Sequence, residues 1–364
     1  MMNAAEFGRF FLPGPTEVHP EILQAMMRPM IAHRGQQMVD LLASADNPLR
    51  ELFCTERAVL VGTCAATGFM EMAVRSGVRH RALCLVGGAF GERFAAIVDA
   101  TGRDVIRLNV PLGNTIEPDM LEDALRHSDV DAVTVVHSET STGALAPLQE
   151  LAEVVHSFDD VLLLVDGVTS IAGLPVLTDD WGLDFVFTGS QKALALPPGL
   201  ALGAASERMV ERARRIPERG AYLDVVAFQE AATKLQPTNT PALSLLYALI
   251  AQLDRIAASG GITARWDRHE AMRKTVEEWI SGRGGELGFG YLPDEDRRSW
   301  TISCLEVPQG RNGREIAKAV AEQGWTIGSG YGSLKERTIR IGHMGDHTVE
   351  RLVALLDVIE GVLR

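Results

Sequence analysis

The sequence predicts an α/β protein with a large unit built on a mostly parallel, helix-sandwiched sheet and a smaller C-terminal α/β unit. Three observations predict it. Short, continuously apolar runs alternate with amphipathic stretches between about residues 58 and 205, as strands covered on both faces should. Thirty-five glycines suit a fold with many strand-to-helix turns. After about residue 210 the strand runs thin out, and longer helical patterns take over.

The predicted strands of the large sheet are 58–61, 82–86, 105–110, 132–136, 161–165, 185–187 and 200–204. Helical patterns lie between several of them, at 69–74, 120–127 and 148–157. A charged helix follows at 208–215. A long apolar helix at 242–258, opened by Thr240-Pro241, places Leu243, Leu246, Ile250, Leu253 and Ile256 on its buried face. The smaller unit reads as an alternating strand at 300–307, a helix at 313–323, a strand at 338–341 and a terminal helix at 348–363. That last helix carries a one-faced stripe of Val349, Leu352, Val353, Leu356 and Leu363. The expected division is 16–250 and 251–364, with 1–15 packing against the second unit.

Composition narrows the class. The 364 residues are 46 % hydrophobic and 23 % charged, ordinary for a globular protein. A net charge of −13 argues against nucleic acid or an anionic membrane as partner. No apolar stretch approaches the roughly 20 residues that span a bilayer, and the N-terminus carries no secretory pattern. A cytoplasmic location is expected. Cys54, Cys64, Cys84 and Cys304 lack metal-ligand spacing and read as reduced thiols, so no metal site is expected.

Lys192 carries the chemistry. It lies in Thr188-Gly189-Ser190-Gln191-Lys192-Ala193-Leu194, directly after the apolar run 185–187. Desolvation there disfavours the ammonium, and a neutral lysine amine can form a Schiff base with a carbonyl. Asp166 ends the apolar run 161–165. An acid and an amine, each ending a buried strand, can converge on one ligand, and that ligand is predicted to be pyridoxal phosphate. Cys64-Ala65-Ala66-Thr67-Gly68 leads from the first core strand into a helix, whose exposed amides form an anion site. Arg340, in the strand 338–341, is shaped to grip a carboxylate bidentately.

Together with Leu12-Pro13-Gly14-Pro15-Thr16, Ala66-Thr67-Gly68-Phe69-Met70-Glu71, Glu139-Thr140-Ser141-Thr142-Gly143 and Ile339-Arg340-Ile341-Gly342, these segments run nearly end to end. In this order and spacing the chain resembles the class V aminotransferases of the fold-type I pyridoxal-phosphate enzymes, nearest to the alanine/serine–glyoxylate branch. The resemblance implies that Lys192 holds the cofactor as a Schiff base and then moves the substrate proton. It implies that Asp166 faces the pyridine nitrogen, with Val168 on a face of the ring. It puts the phosphate on Ala66, Thr67 and Gln191, with Thr240 reaching in from a partner subunit; Asn239 or Gln236 are alternatives to Thr240. A homodimer with shared active sites follows. Phe90 would stack on the ring, Ser141 would contact the cofactor, and Arg340 would hold the substrate α-carboxylate. His33, Arg34 and His343 would edge the entrance. Two departures stand out. Ala65-Ala66-Thr67 replaces the Ser-Gly-Thr of many members, and Phe90 replaces a tryptophan.

The implied activity moves an amino group from alanine or serine to glyoxylate or pyruvate. No second arginine has comparable motif support, which disfavours dicarboxylates unless Arg34 or a partner residue supplies the cation. Transamination of 2-aminoethylphosphonate with pyruvate, or of ureidoglycine with glyoxylate, would use the same machinery. A cysteine desulfurase would need a thiol on a mobile loop, and Cys304 lies inside a predicted strand. A non-catalytic scaffold fits poorly with Lys192, Asp166 and Arg340 all in place.

Overall fold

A computed structural model describes residues 7–364, so residues 1–6 of the predicted N-terminal segment lie outside it. Among the described residues the large sheet has seven strands. Their order is Leu60–Gly62, Ala201–Ala205, Phe185–Gly189, Leu162–Asp166, Ala132–Val136, Arg81–Val86 and Asp104–Asn109. Ala201–Ala205 pairs antiparallel with both neighbours, and the other pairings are parallel.

The apolar runs are unbroken because each strand is buried twice. In Leu162–Asp166, Leu163 and Val165 join one core with Leu49, Leu52, Leu151, Leu246 and Leu249. Leu162 and Leu164 point to the opposite core, among Phe69, Met72, Phe94 and Met209. Helices therefore cover both faces, and ligand-binding residues are left to the strands' carboxyl ends. Asp104–Asn109 sits at the sheet edge, and its residues are only partly covered.

The second sheet has five strands in the order Phe10–Phe11, Thr326–Ser329, Thr338–Ile341, Ser303–Glu306 and Gly290–Tyr291. The alternating run at 300–307 is thus a strand only over Ser303–Glu306. A third core lies under this sheet, with Met272, Trp279, Ile339, Leu352 and Leu356. The terminal helix, Val349–Gly361, starts at Thr348, whose hydroxyl caps Arg351 N. The helix Leu243–Ala258 crosses residue 250, and Leu253 and Ile256 remain in the first core. Among the described residues no helix is long and apolar enough to cross a membrane.

Candidate active site

Of the predicted site residues, Lys192, Asp166, Val168, Phe90 and Ser141 follow or end strands of the large sheet at their carboxyl ends, whereas Arg340 comes from the second sheet. Lys192 follows Phe185–Gly189, and Asp166 ends Leu162–Asp166; these two strands are neighbours in the sheet. Lys192 is only 6 % exposed and Asp166 only 3 %. The Lys192 ammonium donates to the Pro13 carbonyl and lies 5.9 Å from the centre of the Phe90 ring. Burial, reinforced by the Arg340 charge, lowers the Lys192 pKa to about 7. Burial raises that of Asp166 to about 7; nearby Glu139 pushes the same way, while the Val168 N–H and Lys192 oppose it. That amide donates to Asp166 Oδ1 at 2.8 Å, so Val168 shares the acid's turn.

A short segment closes over the lysine. Gly14 has φ +114°, and a Cβ there would lie 2.6 Å from Lys192 Cε and 2.7 Å from Nζ. Only a residue without a side chain fits both the backbone and the space. Thr16 N donates to Gln191 O at 2.9 Å, which ties the segment to the lysine turn.

Glu139, which the sequence reading did not single out as an individual, organises the neighbourhood of Phe90 and Ser141. Its Oε1 accepts from Ser141 N at 2.9 Å and Ser141 Oγ at 2.6 Å. Its Oε2 accepts from Phe90 N at 3.0 Å and Gly91 N at 3.1 Å, so the carboxylate closes the positive end of the helix Ala89–Ala100. Ser141 Oγ also accepts from Ala89 N at 3.0 Å. Glu139 thereby sets the position of both Phe90 and Ser141. Only its place in Glu139-Thr140-Ser141 could have flagged it.

An anion site is built at the first strand's end. The helix Ala66–Gly77 begins at Ala65, which gives no side-chain cap, so the first amides are left free. A Cβ at Gly189 would lie 2.6 Å from Gln191 Oε1 and 3.0 Å from Ala66 Cβ, which puts Gln191 beside this helix start. Thr67 is exposed on the first turn. Thr240 is exposed and makes no hydrogen bond among the described residues, so a single chain does not bring it into the cluster.

Arg340 donates from Nε to Ser329 O at 3.0 Å and from Nη1 to Thr140 O at 3.1 Å. Nη2 has no partner, and no carboxylate pairs with this guanidinium, among the described residues. Burial lowers its pKa. Tyr331 stands beside it, with Arg340 Cζ 5.5 Å from its ring centre and the Phe90 ring 5.9 Å away. A second cation, unnoticed in the sequence, is Arg93. Its Cζ lies 4.7 Å from the Phe90 ring centre, and it has no acidic partner among the described residues.

His343 corrects an expectation. It does not edge an entrance: it is fully buried, with Nε2 2.9 Å from Ser303 Oγ, and burial lowers its pKa to about 3. Cys304 is likewise buried in Ser303–Glu306, and burial raises its thiol to about 11, unlike a mobile thiolate. Among the described residues no cluster of His, Cys, Asp or Glu could hold a metal ion.

The donor set fits pyridoxal phosphate. Among the described residues it offers a buried amine for the aldehyde, a buried acid without an ion-pair partner for a ring nitrogen, an aromatic face, and helix-start amides without a side-chain cap for a phosphate. The aminotransferase class-V family model matches residues 92–351. An uncharacterised aminotransferase of Methanocaldococcus jannaschii is 36 % identical over 97 % of this chain and 92 % of its own. A solved aspartate aminotransferase of subgroup IV from Thermus thermophilus is 32 % identical, covers 98 % of this chain and 99 % of its own, and has a TM-score of 0.88. A solved alanine–glyoxylate aminotransferase from Nostoc sp. is 30 % identical, covers 100 % and 98 %, and has a TM-score of 0.91.

Proposed function

The chain belongs to the class-V aminotransferases, which depend on pyridoxal phosphate, and on that premise we propose that it transfers the amino group of alanine or serine to glyoxylate or pyruvate. One observation carries the site assignment. A buried amine and a buried acid end adjacent strands, beside a guanidinium that has no carboxylate partner among the described residues.

Lys192 would hold the cofactor covalently, Asp166 would meet its ring nitrogen, and Phe90, Val168 and Ser141 would line the ring's place. Ala66, Thr67 and Gln191 would take the phosphate, and Thr240 would be contributed by the partner of a homodimer. The bound cofactor supplies an electron-accepting ring that acidifies the substrate's Cα–H. Arg340 orients the α-carboxylate with its free Nη2. The Lys192 amine would take the Cα proton, and a pKa near 7 suits a base at neutral pH. The Pro13–Gly14 segment limits water access to that amine. The proposed units are 16–250 and 251–364, with 1–15 on the second; the helix Leu243–Ala258 argues for moving the boundary to its end, and pairing of Phe10–Phe11 with Thr326–Ser329 supports the last point.

A dicarboxylic donor is the second reading, favoured by Arg93 at the Phe90 ring without an acidic partner among the described residues. Ureidoglycine or 2-aminoethylphosphonate would change only the donor. Borohydride reduction of the holoenzyme followed by peptide mapping tests the site: the label is expected on Lys192, and a label elsewhere refutes it. A half-reaction screen of amino acids by visible absorbance ranks the donors, and aspartate outpacing alanine and serine would replace the first reading by the second.

A further inference from the structure

The helix Gly261–Trp279 sets the Arg265 guanidinium against the residue that follows Lys192. Arg265, 4 % exposed, donates from Nη2 at 2.5 Å and Nε at 3.2 Å to the carbonyl of Ala193, the residue after Lys192. Its Nη1 donates to Asp346 Oδ1 at 2.8 Å. Asp346 lies in the segment that follows Arg340, and it also accepts from Gln252 at 3.2 and 3.3 Å. Burial alone would raise the Asp346 pKa, but Arg265 and Arg255 hold it below the ordinary value, so it is a carboxylate at neutral pH.

Both ends of this bridge are otherwise fastened. On the lysine side, Ala195 N donates to Lys192 O at 2.8 Å and Leu196 N to Ser190 O at 3.0 Å. Ala195 has φ +53°, a strained value for alanine, so this turn needs outside support. On the other side, Gly345 N donates to His269 Nε2 at 3.0 Å and Gly345 O accepts from Arg268 at 2.9 Å. Gly342 N, next after the Arg340 strand, donates to Phe11 O at 2.8 Å.

We propose that Arg265, paired with Asp346, is a positioning residue that holds the Lys192 turn at a set distance from the Arg340 strand. The inference rests on the proposed roles of those two residues. A substrate gripped by Arg340 presents its Cα at one height, and Lys192 must reach that height. The planar fork suits this task because it meets a carbonyl and a carboxylate at once. A lysine could satisfy only one of them well.

The test uses holoenzyme carrying Arg265→Ala, Arg265→Lys and Asp346→Asn, measured for kcat, KM, melting temperature and the pH titration of the cofactor's visible band. Arg265→Ala is expected to lower kcat by about 10²-fold, the usual loss for a roughly 1 Å misplacement, and to shift the titration midpoint. KM for the amino donor should stay within about threefold, because Arg340 keeps its own contacts. Arg265→Lys should recover part of kcat, and Asp346→Asn, which preserves shape, should show the same signs at smaller amplitude. A fall in melting temperature with kcat and midpoint unchanged in Asp346→Asn or Arg265→Ala would overturn the inference alone. A wild-type holoenzyme whose visible band does not respond to amino acids would overturn the site reading, and this inference with it.

Discussion

Gly14→Ala should disable the enzyme while leaving most of its fold intact. The added methyl would sit 2.6 Å from Lys192 Cε and 2.7 Å from Nζ, against about 3.5–4.0 Å for an ordinary contact. The lysine tail must therefore retreat by about 1 Å, away from the Pro13 carbonyl. Backbone strain adds to this, since φ +114° costs an L-residue on the order of 1–3 kcal/mol. Neither term removes a large core side chain, so a melting temperature only a few degrees lower is expected. The catalytic loss should be larger, about 10²-fold in the rate of the amino-donor half-reaction, because Lys192 no longer meets the Cα proton in line. Stopped-flow absorbance with saturating donor measures it. A rate within about twofold of wild type, in a variant of normal melting temperature, would refute the claim that this segment sets the position of the amine.

Removing the cofactor should expose a stability minimum near neutral pH. Asp166 has its folded-state pKa raised to about 7, so the native state binds more protons than the unfolded one between about 4 and 7, and stability falls with rising pH there. Lys192 has its pKa lowered to about 7, so the unfolded state binds more protons above that, and stability rises again up to about 10.5. Asp166→Asn should flatten the acid limb in urea titrations of the cofactor-free protein; an unchanged slope would contradict the assignment. Arg340→Lys should raise KM for every α-amino acid tested by about tenfold or more, since the fork geometry is lost, and equal KM values would remove its role. Glu139→Gln turns one acceptor oxygen into a donor, so it leaves Phe90 and Gly91 N–H or the Ser141 donors facing an amide NH₂. That should cost about 1–3 kcal/mol per orphaned group, visible as a lower melting temperature, and should move Asp166 back toward ordinary acidity.

Much of the large sheet was legible because double burial forces a continuous apolar run, and 132–136 appears as Ala132–Val136. The second sheet was harder to read. Phe10–Phe11 and Gly290–Tyr291 are two residues long, and Thr326–Ser329 ends among glycines, so none shows periodicity. The helix Gly261–Trp279 escaped notice because charged residues lie on its buried side: Arg265 and His269 find partners in Ala193, Asp346 and Gly345, far off in sequence. Lys192 and Asp166 were legible because each follows or ends a buried strand. Glu139 and Arg93 were not, since their importance comes from which helix start or ring the fold sets beside them. His343 misled because its neighbour in sequence, Arg340, belongs to the site, whereas the strand geometry turns His343 toward Ser303.

The lid over Lys192 comes from the beginning of the chain, yet its seat is made by the end. Phe11 N-terminal to the lid pairs with Ile327, and its carbonyl is held by Gly342. During synthesis, therefore, a chain that has already extruded its reactive amine still lacks the cover and the carboxylate grip. The strand Phe10–Phe11 has its partners only once Thr326–Ser329 and Gly342 have been made. Changes that loosen Phe10–Phe11 would then act, through Pro13 and Gly14, on an amine far downstream at Lys192.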